Sequence, residues 1–255
     1  MLSRVIFLFE VLLTNIAGLI FSNNFNKKIY KFNFPEVWYS PWNNDVEFIS
    51  IYKKISKNTL VSKRKVYDLF CISKQLNNLN GAYMEIGTLR GGTAALLASH
   101  YTGPKIILWD NWGKSVEYDD YFLKKTYSVG DDLKKTQELL HDVCPIALAK
   151  CDFINQTFPQ KDIIEELKIP LSLVHFDIYD KSAFEFGIEL IWPKIVVGGI
   201  FIVSAYGSIS LDPLTRAVNN FFQKTNDCFF IQSQSGLALL VKLNNASPPR
   251  ESNSA

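Results

Sequence analysis

The sequence predicts an α/β domain with a seven-stranded, mostly parallel sheet that is closed by an antiparallel hairpin. From residue 82 onward, five short apolar runs alternate with segments of helical periodicity, the pattern of βαβ units. The last two runs, 228–232 and 236–243, are separated by only three residues, a link that can join only antiparallel neighbours. The chain has 255 residues, 47% of them hydrophobic, which is enough for one large core.

The individual elements follow from short runs rich in β-branched residues and from the helical periods between them. The alternating strands are predicted at 82–87, 105–110, 145–152, 171–177 and 199–206. Helices are predicted at 92–101, 131–142, 160–168 and 181–192, and a further helix within 58–79 precedes the first strand. The expected domains are an N-terminal helical extension (1–57), the α/β domain (58–245) and a polar, disordered tail (246–255).

The N-terminal extension contains an apolar run, residues 5–21, that is open to more than one interpretation. It is shorter than the roughly 20 apolar residues that cross a membrane, and it contains Glu10, Thr14 and Asn15. We favour a helix buried against the domain or against a second subunit, which would form a homodimer, over a signal peptide or membrane contact.

Charge and cysteine content restrict the partners and the compartment. The formal net charge is +2 without a long run of either sign, so nucleic acid is not expected as a partner. The four cysteines form neither a C-x-x-C pair nor a zinc spacing, which is typical of reduced thiols in a cytoplasmic protein.

Acidic residues stand at or near the ends of four predicted strands. They are Glu85, Asp110, Asp152 and Asp177. Ligands of an open α/β sheet bind outside the carboxyl ends of its strands, so these carboxylates are expected to line one rim.

A glycine-rich turn, EIGTLRGGT at residues 85–93, follows the first strand. Glycines without a Cβ let the backbone approach a ligand closely. The spacing is neither G-x-G-x-x-G nor a P-loop, so a phosphate ligand is not indicated. With Asp110 at the end of the next strand, the turn suits a nucleoside whose ribose hydroxyls are received by a carboxylate.

This turn resembles the first motif of class I S-adenosylmethionine-dependent methyltransferases, in the form found in the macrocin O-methyltransferase family of sugar O-methyltransferases. Four further segments follow in the order of that family: WDNWG (109–113), KCDFINQTFP (150–159), HFDIYDKS (175–182) and WPKIVVGGIFIVSAYG (192–207). The resemblance covers residues 62–206. It implies a Rossmann-like fold, S-adenosyl-L-methionine as cofactor, and a sugar or secondary metabolite as small-molecule acceptor in natural product or polysaccharide biosynthesis.

The resemblance also implies a set of cofactor-binding residues. Asp110 would hold the ribose, and Asp152 with Phe153 would border the adenine. For Arg90 the alternative is a surface ion pair, and for Trp112 and Phe153 it is core packing. The full set is Glu85, Gly87, Thr88, Arg90, Gly91, Thr93, Asp110, Trp112, Asp152 and Phe153.

The sequence departs from the family at its metal site. Members bind a divalent ion through the first Asp of D-x-D and both Asp residues of D-D-Y, and these positions read His175, Ser204 and Ala205 here. Magnesium prefers oxygen ligands that include a carboxylate, so no metal site is predicted.

The second Asp of D-x-D is retained as Asp177, which the resemblance assigns as the general base. His175 and Tyr206 are further candidates for catalysis. Side chains alternate along a strand, so His175 and Asp177 would point to opposite faces unless the strand ends at Phe176.

Three hypotheses about function follow. The leading one is a metal-independent S-adenosylmethionine-dependent methyltransferase that acts on a hydroxyl of a sugar or small polar metabolite. The second is an enzyme that retains the cofactor but carries out N-methylation or a reaction other than methylation. The third is a catalytically silent binding protein.

Overall fold

The computed structural model describes residues 40–112, 132–207 and 212–244. The chain divides into two units, Met1–Pro41 and Trp42–Ala255, and the sheet belongs to the second. The apolar run 5–21 and the predicted tail 246–255 lie outside the described residues. Within the described ranges, no helix is both long and apolar enough to cross a membrane.

Seven strands form one sheet in the order β3-β2-β1-β4-β5-β7-β6. The pairs among β1 to β5 are parallel, whereas β7 lies antiparallel to both β5 and β6. This confirms the predicted winding and its closing hairpin. The strands are β1 Ala82–Ile86, β2 Ile106–Asp110, β3 Cys151–Asn155, β4 Leu171–Phe176, β5 Ile195–Val203, β6 Cys228–Gln232 and β7 Ala238–Lys242.

The strand predicted at 145–152 is wrong. Pro145 instead begins a short helix, because proline has no N–H to lose at a first helical position and its φ suits a helix. The strand begins at Cys151 and runs on to Asn155, where it pairs with Asp110 of β2.

Helices cover both faces of the sheet, each packed through its apolar stripe. One face carries α1 to α5, and the other carries α6 to α8. The helices are α1 Val46–Ile55, α2 Lys63–Leu76, α3 Gly92–His100, α4 Asp132–Val143, α5 Pro145–Leu148, α6 Lys161–Glu166, α7 Lys181–Ile191 and α8 Asp212–Lys224, with 3-10 turns at Pro41–Asn43 and Trp192–Lys194.

Helix α1 belongs to the same unit as the sheet. Asp45 caps its N-terminus by accepting a hydrogen bond from the Phe48 amide at 2.9 Å. Phe48 and Ile55 are fully buried in the core between α2, α3 and the sheet. The predicted boundary at residue 57 therefore falls inside this unit, which begins at Trp42.

Three central strands end at the same level. Ile86, Phe176 and Val203 are register partners across β1, β4 and β5, and all three are terminal residues. The Asp177 amide donates to the Ile86 carbonyl at 2.8 Å, and the Ser204 amide donates to the Phe176 carbonyl at 3.0 Å. The residues that follow these strands thus meet at one edge of the sheet.

Candidate functional site

The glycine turn, residues 87–91, lies at this carboxyl edge and requires its glycines. Gly87 has a φ of +91°, and a Cβ there would lie 2.7 Å from the Asp177 carbonyl oxygen. Gly91 has a φ of +77° and precedes the first residue of α3. Since L side chains rarely adopt these conformations, the turn brings its backbone close to β4 as only glycine permits.

Leu89 also has a positive φ, +51°, and hydrogen bonds hold its peptide groups in place. Its amide donates to Asp110 Oδ2 at 2.7 Å. Its carbonyl accepts from Trp112 Nε1 at 2.8 Å and from Thr136 Oγ1 at 3.2 Å. Two residues predicted to bind cofactor, Asp110 and Trp112, therefore shape the turn as well.

Arg90 forms an ion pair, although not the surface pair considered as the alternative. Its Nε donates to Asp132 Oδ1 at 2.9 Å, and both side chains are largely buried. This pair fastens the glycine turn to the first turn of α4. Thr93 is buried in the first turn of α3, and Phe153 packs beside Trp112 with ring centroids 6.0 Å apart.

The structure does not bring Asp152 to the carboxyl edge. Asp152 is the second residue of β3 and pairs with Ile107, three positions before the Asp110–Asn155 pair that ends both strands. At about 3.3 Å per residue it lies about 10 Å from the edge. Its carboxylate is exposed and forms an ion pair with Lys105 at 2.6 Å.

A buried polar chain, Glu85–His175–Ser204, crosses the three central strands. His175 Nδ1 lies 2.8 Å from Glu85 Oε1, and His175 Nε2 lies 2.7 Å from Ser204 Oγ. Glu85 and His175 are register partners on β1 and β4, which places their side chains next to each other on one face of the sheet. All three residues are at most 2% exposed.

Both ring nitrogens of His175 are engaged in this chain. Burial lowers its pKa, but the hydrogen bond to Glu85 and the charges of Asp177 and Glu85 outweigh burial, so its pKa is raised. When His175 is protonated, both of its ring nitrogens donate hydrogen bonds, one to the Glu85 carboxylate and the other to the Ser204 hydroxyl. With both nitrogens engaged and no exposed surface, His175 has no free lone pair for an acceptor's proton.

Asp177 follows β4 directly, because that strand ends at Phe176. Burial raises the pKa of Asp177 to about 6, although His175, Ser204 and Lys65 each lower it and Glu85 raises it further. A carboxylate with this pKa is ionised at neutral pH and is still basic enough to take a proton.

Three buried oxygen atoms beside the glycine turn have no hydrogen-bond partner among the described residues. They are Glu85 Oε2, Thr88 Oγ1 and Asp177 Oδ1. A buried polar atom without a partner carries a free-energy cost of about 1–3 kcal/mol, and a ligand can relieve that cost. Their position at the edge therefore points to a polar ligand.

The residues at the family's metal positions do not fit a divalent cation. Both His175 nitrogens and the Ser204 hydroxyl are engaged with protein groups, and Ala205 has no donor atom. In the described part of the chain, no three His, Cys, Asp or Glu residues are grouped as metal ligands.

Tyr206 lies beside this edge with its hydroxyl already bonded. It donates to Asn219 Oδ1 of α8 at 2.8 Å, and its ring packs edge-on against Phe230 at 5.4 Å. This arrangement ties the end of β5 to α8.

Two residues of the edge were not predicted as site residues: Ser204, treated as a lost metal ligand, and Lys65 of α2. Lys65 Nζ donates to the Ser204 carbonyl oxygen. Leu69 and Ser73, four and eight residues after Lys65, lie on the same side of α2 and are both fully buried. The helical spacing therefore indicates that the Lys65 side chain points inward.

No protein-family model and no curated protein matches the chain. Solved structures do match. The O-methyltransferase NovP has a TM-score of 0.58 at 17% identity, covering 73% of this chain and 83% of its own. CalS11, a TDP-rhamnose 3'-O-methyltransferase of calicheamicin biosynthesis, has 0.54 at 11%, covering 77% and 94%.

The O-methyltransferase TomG from Streptomyces achromogenes, involved in tomaymycin synthesis and bound to S-adenosylmethionine, has a TM-score of 0.54 at 13% identity. The match covers 80% of this chain and 98% of TomG. At such identities the likeness shows the fold. The chain therefore has the Rossmann-like fold of the class I methyltransferases.

Proposed function

We propose that this protein is an S-adenosylmethionine-dependent methyltransferase that acts on a hydroxyl of a sugar or small polar metabolite, with Asp177 as general base. The observation that carries the proposal is the set of unpartnered oxygens, Glu85 Oε2, Thr88 Oγ1 and Asp177 Oδ1, beside the glycine turn. The matched structures include a TDP-rhamnose 3'-O-methyltransferase, which supports a sugar as acceptor.

The residues fit the cofactor. The glycine turn brings its backbone to the edge without side chains in the way, and Glu85 Oε2 and Thr88 Oγ1 remain to hydrogen-bond polar groups of the cofactor. Asp110, which already holds the turn through Leu89, stands where the resemblance places the ribose carboxylate.

Bound S-adenosylmethionine would supply an electrophilic methyl group on a sulfonium sulfur. The protein must then align an acceptor oxygen and remove its proton, because in-line displacement depends on orientation and on a nucleophilic oxygen. Asp177 takes that proton through the oxygen that has no protein partner. The acceptor O–C bond forms as the S–C bond breaks, and the products are a methyl ether, S-adenosylhomocysteine and one proton.

Calorimetric titration with S-adenosylhomocysteine tests the cofactor site. We expect micromolar binding in excess chelator and the same affinity with added magnesium, since the residues at the edge do not fit a divalent ion. Absence of binding in both buffers would refute the proposed function and favour the catalytically silent alternative. A second step, mass analysis after incubation with S-adenosylmethionine and a panel of TDP-deoxysugars, tests O-methylation itself.

The pH dependence of transfer follows from Asp177. Because burial raises its pKa to about 6, the base is protonated below that pH and ionised above it. We expect kcat/KM to fall about tenfold per pH unit below pH 6 and to be level from about pH 7 to 8. The pH profile of methyl transfer to the TDP-sugar accepted in the panel provides the measurement, and a flat profile through pH 6 would contradict the assignment.

A further inference from the structure

We infer that Lys65 supplies the positive charge at the carboxyl edge that a divalent ion supplies in the resembled family, and that it acts as a positioning residue through Asp177. The inference rests on the proposed function for its catalytic meaning. Its structural content, a cation held beside Asp177, is independent of turnover.

Two contacts fix the Lys65 side chain. Its Nζ donates to the carbonyl oxygen of Ser204, the first residue after β5. Its stem runs past the turn between β6 and β7, where a Cβ added to Gly236 would lie 3.6 Å from Lys65 Cε and 3.8 Å from Nζ. The ammonium group is thereby held at the level where β5 ends.

Helix α2 is itself fastened to the same turn. Asp68, one helical turn after Lys65, accepts a hydrogen bond from Ser235 Oγ at 2.6 Å. Residues three apart on a helix lie on the same side, so the Asp68–Ser235 bond fixes the face that carries Lys65. The packing of α2 against this turn therefore helps to fix the position of the Lys65 ammonium group, which does not depend on the flexible side chain alone.

The carboxyl edge holds two acidic and two basic side chains, one of which is Lys65. Glu85 and Asp177 are the carboxylates, and the basic groups are Lys65 and His175, whose pKa is raised. Glu85 pairs with His175 at 2.8 Å, and the charges of His175 and, to a smaller extent, Lys65 both lower the pKa of Asp177. Ser204, which accepts from Lys65, also donates its amide to the carbonyl of Phe176, the residue before Asp177. Lys65 thus adds a positive charge next to positions that the family fills with metal ligands.

A cation beside Asp177 has a chemical consequence. It favours the ionised carboxylate at neutral pH and attracts the developing negative charge of an acceptor oxygen. Burial lowers the pKa of Lys65 and Asp177 opposes that effect, as expected for a partly buried ammonium beside a carboxylate.

Carboxyl carbon-13 NMR of protein labelled at aspartate side chains provides the test, with the Asp177 resonance assigned through Asp177→Asn. The titratable groups that act on Asp177 are His175, Glu85 and Lys65, and the Ser204 hydroxyl bonds to it. Only Lys65 is varied. Lys65→Gln removes the charge but can still donate to the Ser204 carbonyl. We expect it to raise the Asp177 midpoint by roughly half a pH unit, because the Lys65 charge is the smallest of the effects on this pKa.

Two variants serve as controls. Lys65→Arg keeps the charge and should leave the midpoint near that of the wild type. Lys63→Gln, on the same helix with its ammonium bonded to Asn43 at 2.9 Å, should have no effect. Circular dichroism verifies folding, and Lys65→Met replaces the glutamine variant if that variant does not fold.

An unchanged Asp177 midpoint in Lys65→Gln, or an equal shift in Lys65→Arg, would overturn the inference.

In the transfer assay with the accepted TDP-sugar, the acid limb of the Lys65→Gln pH profile should move to higher pH by the same amount as the NMR midpoint. Absence of transfer by the wild type would count against the proposed function alone, because the NMR titration does not require turnover.

Discussion

Asp177→Asn should reduce methyl transfer by about 10²- to 10⁴-fold, the usual contribution of a general base, while S-adenosylhomocysteine affinity changes little. An amide has nearly the size of the carboxylate but cannot accept the acceptor's proton. The buried environment that raises the pKa of Asp177 to about 6 also tolerates the neutral asparagine. Single-turnover rates with labelled S-adenosylmethionine and the accepted TDP-sugar provide the measurement.

Asp180→Asn is the matched control. Asp180 lies three residues further along, caps α7 and accepts the Ala183 amide at 2.8 Å. Asparagine caps helices as well as aspartate does, so this variant should keep the wild-type rate and stability. Full activity of Asp177→Asn would exclude Asp177 as the base, and a joint loss of cofactor binding would assign it a structural role.

The fold could be predicted from the sequence because its strands are short, buried and separated by clear helical periods. β6 has the predicted bounds, and β1, β2 and β4 differ from them by a single residue. The strand predicted at 145–152 failed because an apolar run of that length does not distinguish a helical turn from a strand, and Pro145 decides for the helix.

The same error displaced Asp152. With the strand placed too early, Asp152 became its last residue and a candidate for the rim, whereas it is the second residue of β3. A shift of a few residues moves a side chain from one end of a strand to the other. Asp110 was not subject to this error, because its predicted strand, 105–110, ends at the same residue as β2.

The buried polar chain could be predicted only in part. Glu85 lies two residues before Gly87, and His175 lies two residues before Asp177. Gly87 and Asp177 are the first residues after β1 and β4, so the strand ends already implied that Glu85 and His175 are aligned. The pairing itself depends on β1 and β4 being neighbours, which the order of elements along the chain does not state. Lys65 comes from a helix that precedes the whole sheet, and only tertiary packing brings it to the edge.

Glu85→Gln should weaken S-adenosylhomocysteine binding by about 10- to 100-fold and lower the free energy of unfolding by about 3 kcal/mol at pH 6. The carboxylate has one oxygen bonded to His175 and a second, Oε2, without a protein partner at the edge. The amide removes the charge that compensates protonated His175 and replaces an acceptor near the cofactor. Calorimetry measures the affinity, and urea denaturation measures the stability.

Glu47→Gln is the matched control on the surface. Glu47 is 52% exposed and pairs with Lys74 at 2.6 Å, and an exposed pair contributes at most about 1 kcal/mol. This variant should bind S-adenosylhomocysteine like the wild type. If Glu85→Gln were no more damaging than Glu47→Gln, the buried chain would have no part in the cofactor site.

The pH dependence of the stability lost in Glu85→Gln distinguishes a Glu85–His175 charge pair from a packing contribution of Glu85 alone. A histidine with a raised pKa in the folded state contributes stability that is fully present below its unfolded pKa of about 6.5 and is lost as pH rises through the folded value. The stability difference between wild type and Glu85→Gln should therefore be largest near pH 6 and decrease at alkaline pH.

In the double variant with His175→Gln, no buried cation remains uncompensated, so the combined loss of stability should be smaller than the sum of the single losses. Additive losses that do not change with pH would show that Glu85 and His175 act separately, and that the cofactor edge is not organised by their charges.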